Sequence, residues 1–385
     1  MENFNFHNPT RLLFGKGQIA SMADYLPKGK KILVTYGGGS IKKNGVYDQV
    51  MSSLKEFDVT EFSGIEPNPK FGTLMKAVEI VKSENIDFLL AIGGGSTVDG
   101  TKFIAAAARY DGDPWHILET HGADVVDAVP MGCVLTLPAT GSESNGGAVV
   151  SQDSTPDKLH FVSEKTFPQF AVLDPEVTYT LPPRQIGNGV VDAFTHTMEQ
   201  YLTYPANAPL QDRFAEGILY TLVEEGPKCL ADPKNYDARA NVMYCCTMAL
   251  NTLIACGVPQ DWTTHMIGHE ITAAHGLDHA QTLAIVLPNV MDHQRERKHA
   301  KLLQYAERIW GITQGDDDAI IDQAIEKTRH FFEAMGVKTR LGDYGLDTSI
   351  IPQLVAQLEK HGMVALGEHQ AITPEMSAEI LKKCA

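Results

Sequence analysis

Two kinds of periodicity divide the chain. Up to about residue 175, short apolar runs rich in β-branched residues alternate with stretches of helical spacing. Lys31–Tyr36 reads as a buried strand that runs into Gly37-Gly38-Gly39-Ser40, with a helical stretch over 44–56 behind it. A short strand is expected at 59–62, and Leu74, Ala77, Val78 and Val81 give helical spacing over 71–83. The wholly apolar run 88–92 enters Gly93-Gly94-Gly95-Ser96, and 97–109 has the small-residue composition of a closely packed helix. Further strands are expected at 133–137 and 170–173. Strands alternating with helices at this spacing indicate a mostly parallel, doubly wound sheet.

After Asp174-Pro175 and Leu181-Pro182-Pro183 the period changes to 3.6. The segments 190–201, 211–230, 238–255, 279–290 and 319–335 all read as helices, with few β-branched runs between them. The expected organisation is therefore an α/β Rossmann-like domain over 1–180 and an all-helical domain over 181–385. A chain of 385 residues is long enough for two cores.

Charge narrows the partners. The formal net charge of −16 disfavours nucleic acid and anionic lipid surfaces, so neither is an expected partner. The six cysteines include no C-x-x-C pair, and they fit buried thiols in a reducing compartment. With no signal-like or membrane-spanning apolar run, the expected location is cytoplasmic. The apolar-aromatic residues Phe4, Phe6, Leu12, Leu13 and Phe14 suggest an exchanged edge strand, and with it a homodimer.

The two glycine turns carry the first chemistry. A strand ending in glycines before a helix presents free backbone N–H groups and the positive end of the helix dipole, which suits phosphate. Glycine also simply makes tight turns, and the residues alone leave both readings open. The strict dinucleotide fingerprint is absent, since Val98 stands where G-x-G-x-x-G needs its third glycine. The run from Gly95 to Lys102 resembles a P-loop with its last two residues reversed, and is rejected as one. Between Tyr36 and Tyr47 there is no acid, while Ser40, Lys42 and Lys43 are present. An adenosine ribose bound there would find better company for a 2′-phosphate than for a bare hydroxyl.

The helical half concentrates unusual polar residues. Asp192 and His196 stand four apart, one turn apart on one helix face; His265 and His269 repeat the spacing, and His275 and His279 follow. In otherwise apolar helices such a set points to a metal. H-E-x-x-H fails, because Ala273 occupies the second histidine's place after His269-Glu270. A mixed carboxylate and imidazole set suits Fe2+ or Zn2+ better than Mg2+ or Ca2+.

Together these segments resemble the iron-containing (group III) alcohol dehydrogenase family, close to its NADPH-dependent aldehyde reductase and butanol dehydrogenase branch. The likeness is carried by Phe14-Gly15-Lys16-Gly17, Gly93-Gly94-Gly95-Ser96 with Asp99, Thr140-Gly141-Ser142-Glu143, and the stretches 189–196 and 265–279. The resemblance implies a dehydroquinate synthase-like fold and a single divalent metal, Fe2+ or Zn2+, held by Asp192, His196, His265 and His279. It implies NADP(H), preferred over NAD(H), contacted by Gly94, Gly95 and Ser96, with Asp99, Thr136, Thr140 and Lys158 around its phosphate and ribose. The adenosine end falls near Gly38 and Ser40. His269 is implied near the substrate and is the candidate proton relay.

The implied activity is hydride transfer between the nicotinamide and a short-chain aldehyde or primary alcohol, in a cleft between the domains. Two departures from the family pattern are present: Ala280-Gln281 follows the last metal histidine, and glycines replace the aspartate common at the end of the first strand. The rival readings are a glycerol dehydrogenase-like enzyme and a metal-dependent hydrolase whose glycine turns are structural.

Overall fold

The computed structural model describes all 385 residues. They form two units, neither contiguous in sequence. One contains His7–Leu181 with Pro233–Thr247, the other Met1–Phe6, Pro182–Asp232 and Met248–Ala385.

The first unit is built on strands β1 (Arg11–Phe14), β2 (Lys31–Tyr36), β3 (Asp58–Ser63), β4 (Phe88–Gly94), β5 (Met131–Leu137) and β8 (Phe170–Leu173), with β6 (Gly147–Ser151) and β7 (Lys158–Val162) apart from them. The six form one sheet in the order β1-β8-β5-β4-β2-β3, every neighbour parallel. Successive side chains take opposite faces, and both faces are buried. Leu33, Leu89, Ala91 and Cys133 pack with Phe103 on one side, while Ile32, Val34, Leu90 and Ile92 pack with Ile41 and Val50 on the other. That is why these strands read as unbroken apolar runs. The covering helices are α1 (Ser40–Lys43), α2 (Val46–Ser53), α3 (Phe71–Glu84), α4 (Gly95–Ala107) and α5 (His116–Glu119).

Local chemistry changes some expected boundaries. The helix expected over 44–56 is present but shorter, as α2: Gly45 at φ 82° stands as its N-cap and separates it from the single turn of α1, and Leu54 ends it. The run Arg11–Phe14 is an edge strand of its own chain's sheet, paired in parallel with β8. The antiparallel hairpin of β6 and β7 has no counterpart in the periodicity analysis.

The second unit holds α6 (Pro183–Tyr201), α7 (Pro209–Ala231), α9 (Thr263–His275), α10 (His279–His293), α11 (His299–Trp310), α12 (Asp317–Ala334), α13 (Ile351–Lys360) and α14 (Pro374–Lys383). Ile267 and Ile271 of α9, Ile285 and Val286 of α10, Leu354 of α13 and Ile380 of α14 share one core. The remaining helix, α8 (Tyr236–Ala249), belongs to the α/β unit. There Met243 is fully buried, Tyr244 meets Phe14 edge-on, and Lys16 lies over the Tyr236 ring. The helix expected over 238–255 stops at Ala249. Thr252 takes φ 74° and the Asn251 side chain accepts the Leu253 N–H, so a turn replaces the last helical residues.

Candidate active site

In the helical unit, α6, α9 and α10 bring four of the expected residues together. Asp192 and His196 project from one face of α6, His265 from the first turn of α9, and His279 from the start of α10. One ligand atom from each lies within 4.8 Å of all the others. Asp192 Oδ1 is 3.7 Å from His196 Nδ1 and 3.6 Å from His279 Nε2, and the His196 and His265 rings stack at 4.6 Å. Asp192, His196 and His265 are buried, while His279 keeps some exposure.

Burial of polar atoms needs compensation, yet His196 Nδ1 and His265 Nε2 have no hydrogen-bond partner in the protein. Burial, then the neighbouring His265, push His196 well below its ordinary pKa, so its ring is neutral and carries a lone pair. A neutral imidazole with an unused buried nitrogen beside a carboxylate is the donor set a divalent transition metal takes.

The cluster is braced from behind. Glu199, three residues after His196 on α6, accepts the Thr264 N–H at 2.6 Å and makes a short contact to His265 Nδ1. Trp262, at φ 61°, packs edge-on against the His265 ring. Asp278, just before His279, takes a two-pronged hydrogen bond from Arg184 of α6, at 2.7 Å to each oxygen. Gln281 accepts the Asp278 N–H at 3.0 Å and completes a capping box at the start of α10. The Ala280-Gln281 departure thus has a local reason. His269 is buried with its ring 5.1 Å from His279, and His275 stays outside the four-residue cluster.

In the α/β unit the two glycine turns close the adjacent strands β2 and β4. The chain leaves β2 toward β3 on one side and β4 toward β5 on the other, so both turns lie at the point where strand order reverses. Open α/β sheets bind their ligands at that point. The turns touch: a Cβ on Gly37 would stand 3.9 Å from Thr97 Oγ1. A Cβ on Gly95 would meet Thr140 Oγ1 at 2.4 Å, and one on Gly94 would meet Leu137 at 3.0 Å. These glycines are demanded by packing. Gly38, by contrast, has nothing within 4 Å of its absent Cβ, which leaves open space above its backbone.

The expected cofactor residues gather around α4, but several are engaged within the protein. Asp99 accepts from Ser142 Oγ at 2.6 Å and from the Val149 N–H at 3.0 Å, and its pKa is raised by burial. Ser96 accepts the Asn68 N–H, Thr140 accepts the Ser142 N–H, and Lys158 lies buried on β7 near enough to favour Asp99's charged form. Thr136 is near-buried on β5. The P-loop decoy resolves cleanly. Lys102 is fully buried and donates to Ser142 Oγ, Asn145 Oδ1 and the Gly147 carbonyl at 2.7–3.0 Å, and burial lowers its pKa to about 8. It is a scaffold cation, not a phosphate ligand.

Sequence reasoning missed two acids. The stretch from Tyr36 to Tyr47 is acid-free, but β3 supplies Glu61 to it. Tyr36 and Tyr47 both donate to Glu61, at 2.8 and 2.7 Å, and Lys42 lies 3.8 Å from it over the two tyrosine rings. Although partial burial acts to raise it, the two hydroxyls hold Glu61 below its ordinary pKa. The contact is long-range and no local motif announces it. Glu199 was missed too, although its i+3 spacing from His196 on the same helix was a readable signal.

Comparison with known proteins agrees with this architecture. Residues 9–175 match the iron-containing alcohol dehydrogenase profile, and residues 187–385 match the C-terminal profile of the Fe-containing alcohol dehydrogenase family. The chain belongs to the iron-containing alcohol dehydrogenase family. It is 63% identical over 382 residues to the NADPH-dependent aldehyde reductase YqhD of Escherichia coli (strain K12), across 99% of each chain. It is 41% identical to the probable NADH-dependent butanol dehydrogenase 1 of Bacillus subtilis (strain 168), again across 99% of each. The crystal structure of Escherichia coli K-12 YqhD matches with TM-score 0.99 at 62% identity, covering 100% of this chain and 99% of that one. No helix is long and apolar enough to cross a membrane.

Proposed function

We propose that the chain is an NADP(H)-dependent, metal-requiring aldehyde reductase and alcohol dehydrogenase acting on short-chain aldehydes and primary alcohols such as butanal and butanol. The observation that carries the reading is the buried cluster of one carboxylate and three imidazoles in a member of this family. Kinship to an NADPH-dependent aldehyde reductase at 63% identity supports the direction and the cofactor. Kinship to NADH-dependent butanol dehydrogenases supports the substrate class.

In this reading Asp192, His196, His265 and His279 hold one divalent ion. When bound, such an ion supplies the Lewis acidity that polarises an aldehyde carbonyl toward hydride. Iron is favoured by kinship, and zinc fits the same donors. His269, beside His279, holds the proton that the product oxygen takes up; imidazole suits that work near neutral pH. The backbone at Gly94, Gly95 and the start of α4 receives the cofactor phosphates, with Ser96, Thr136, Thr140 and Lys158 around them. Gly38, Ser40 and Lys42 receive the adenosine end with its 2′-phosphate. Asp99 serves by holding the Ser142 hydroxyl and the Val149 N–H of the segment that shapes this region. We also read a cytoplasmic homodimer, supported by β1 as outermost strand with Phe14 and Phe4 exposed nearby in sequence.

The test is oxidation of NADPH by butanal, followed by nicotinamide absorbance, with protein stripped of metal and reloaded with Fe2+ or Zn2+. Metal-dependent turnover with NADPH above NADH is expected. Metal binding without consumption of either cofactor by any small aldehyde would overturn the reading.

A further inference from the structure

One buried carboxylate has no place in the chemistry above. Glu199 lies on α6, and its position three residues after His196 and seven after Asp192 sets all three on one helix face. Both of its oxygens are committed to the start of α9. Oε1 accepts the N–H of Thr264 at 2.6 Å and, more weakly, that of His265 at 3.4 Å, while Oε2 makes the short contact to His265 Nδ1.

The surroundings explain why this carboxylate is needed. The first turn of a helix leaves backbone N–H groups without intrahelical partners. The residue before α9 is Trp262, whose indole offers no acceptor. Asp261 takes the Thr263 N–H, and Glu199 takes the next two. A cap, however, needs one acceptor oxygen. The second oxygen goes to an imidazole, and burying a charged carboxylate for capping alone is a poor exchange. The approach to α9 is independently fixed. The Asp261 N–H bonds the Glu199 carbonyl at 2.9 Å, and buried Lys298 ties Asp261 to Glu368, at 2.8 Å to each. With the backbone held, the remaining freedom of His265 is rotation and tautomer of its ring. Its far nitrogen, Nε2, is buried and without a hydrogen-bond partner.

We propose that Glu199 is the positioning residue of the metal centre: it holds the proton of His265 on Nδ1 and so turns the Nε2 lone pair toward Asp192, His196 and His279. This rests on the metal reading of the cluster. An imidazole has two tautomers, and only the one protonated at Nδ1 offers Nε2 to an ion. A carboxylate behind a metal-binding histidine selects that tautomer and raises the ring's basicity.

Glu199→Gln tests it. The amide oxygen can still accept the Thr264 N–H, but the amide nitrogen then faces Nδ1 as a donor and favours the wrong tautomer. Co2+ and Zn2+ affinities of metal-free wild type, E199Q and H265A would be measured by competition, with the Co2+ visible spectrum and the Tm of each metal-free protein recorded alongside. We expect E199Q to bind roughly 10- to 100-fold more weakly with an altered Co2+ spectrum, as removal of such an outer partner commonly does. Its metal-free Tm should stay close to wild type. Wild-type affinity in E199Q would overturn the proposal and leave Glu199 a helix cap. If E199Q does not fold, nitrogen NMR of zinc-loaded wild type decides: His265 protonated at Nδ1 and metallated at Nε2 upholds the proposal, and metallation at Nδ1 overturns it. Failure of wild type to bind either ion would instead bring down the metal reading beneath it.

Discussion

The histidine cluster and the glycine turns are built on opposite plans. In the cluster, side chains supply the chemistry: two imidazole nitrogens are buried with no hydrogen-bond partner, and the surrounding polar groups aim them. At the turns, the side chains with charge are already spent inside the protein. Asp99 and Lys102 clasp the 142–149 segment, and Glu61 sits opposite Lys42. What the turns offer is backbone N–H groups and the open space above Gly38. A metal site is therefore written in residue types, whereas a nucleotide site is written mainly in the absence of side chains.

The two regions should therefore fail separately. The largest effect is expected from Asp192→Ala or His196→Ala. Metal content by elemental analysis should fall to near zero and butanal turnover by about a thousandfold or more, the scale of several kcal/mol of lost Lewis-acid stabilisation. NADPH affinity should hardly move. A parallel loss of both would break the comparison.

Lys102→Met comes next. It strands the Ser142, Asn145 and Gly147 acceptors in a buried site, at about 1–3 kcal/mol, read as a fall in Tm. NADPH should bind more weakly as the 142–147 segment loosens, with metal stoichiometry intact. A smaller and more selective effect is expected from Lys42→Ala: calorimetry should show NADPH weakened roughly fivefold, as fits an exposed charge, and NADH unchanged. Glu61→Gln, which releases Lys42 from its counter-ion, should shift the NADPH:NADH ratio the other way. Equal effects on both cofactors would move the 2′-phosphate away from this turn.

The smallest effect concerns pH. Burial, with His121 beside it, lowers His160 of β7 from 6.5 to about 4. The unfolded chain therefore binds this proton more readily, so the contribution to stability is complete above about 6.5 and is lost as pH falls toward about 4. His160→Gln should flatten the Tm profile in that window. An unchanged slope would assign the acid sensitivity to other groups.

The legibility of the molecule follows the same division. Strands such as Lys31–Tyr36 and Phe170–Leu173 were readable because burial on both faces makes them continuously apolar. The Asp192/His196 pair was readable because i, i+4 spacing is a local property of a helix. The edge strand Arg11–Phe14 was not read as part of its own sheet, since pairing with β8 joins residues more than 150 positions apart. Gly45 and Thr252 set helix limits through positive φ values that periodicity does not record. Glu61 escaped because an acid absent from a loop can be returned to it by the next strand.

The detour of α8 has a consequence for inheritance. Met243 completes the apolar interior of the α/β unit, and Thr247 donates to buried Glu143 at 2.5 Å, yet both lie downstream of Asp192 and His196 in the chain. A single genetic crossover near residue 181 would hand the sheet to one descendant and the helix that finishes its interior to another. Lineages that traded halves by one exchange would lose both, so the glycine turns and the histidine cluster are expected to descend as a linked pair. Successful chimaeras between relatives should be those that exchange residues 7–181 and 233–247 together and leave Asp192, His196, His265 and His279 from one parent.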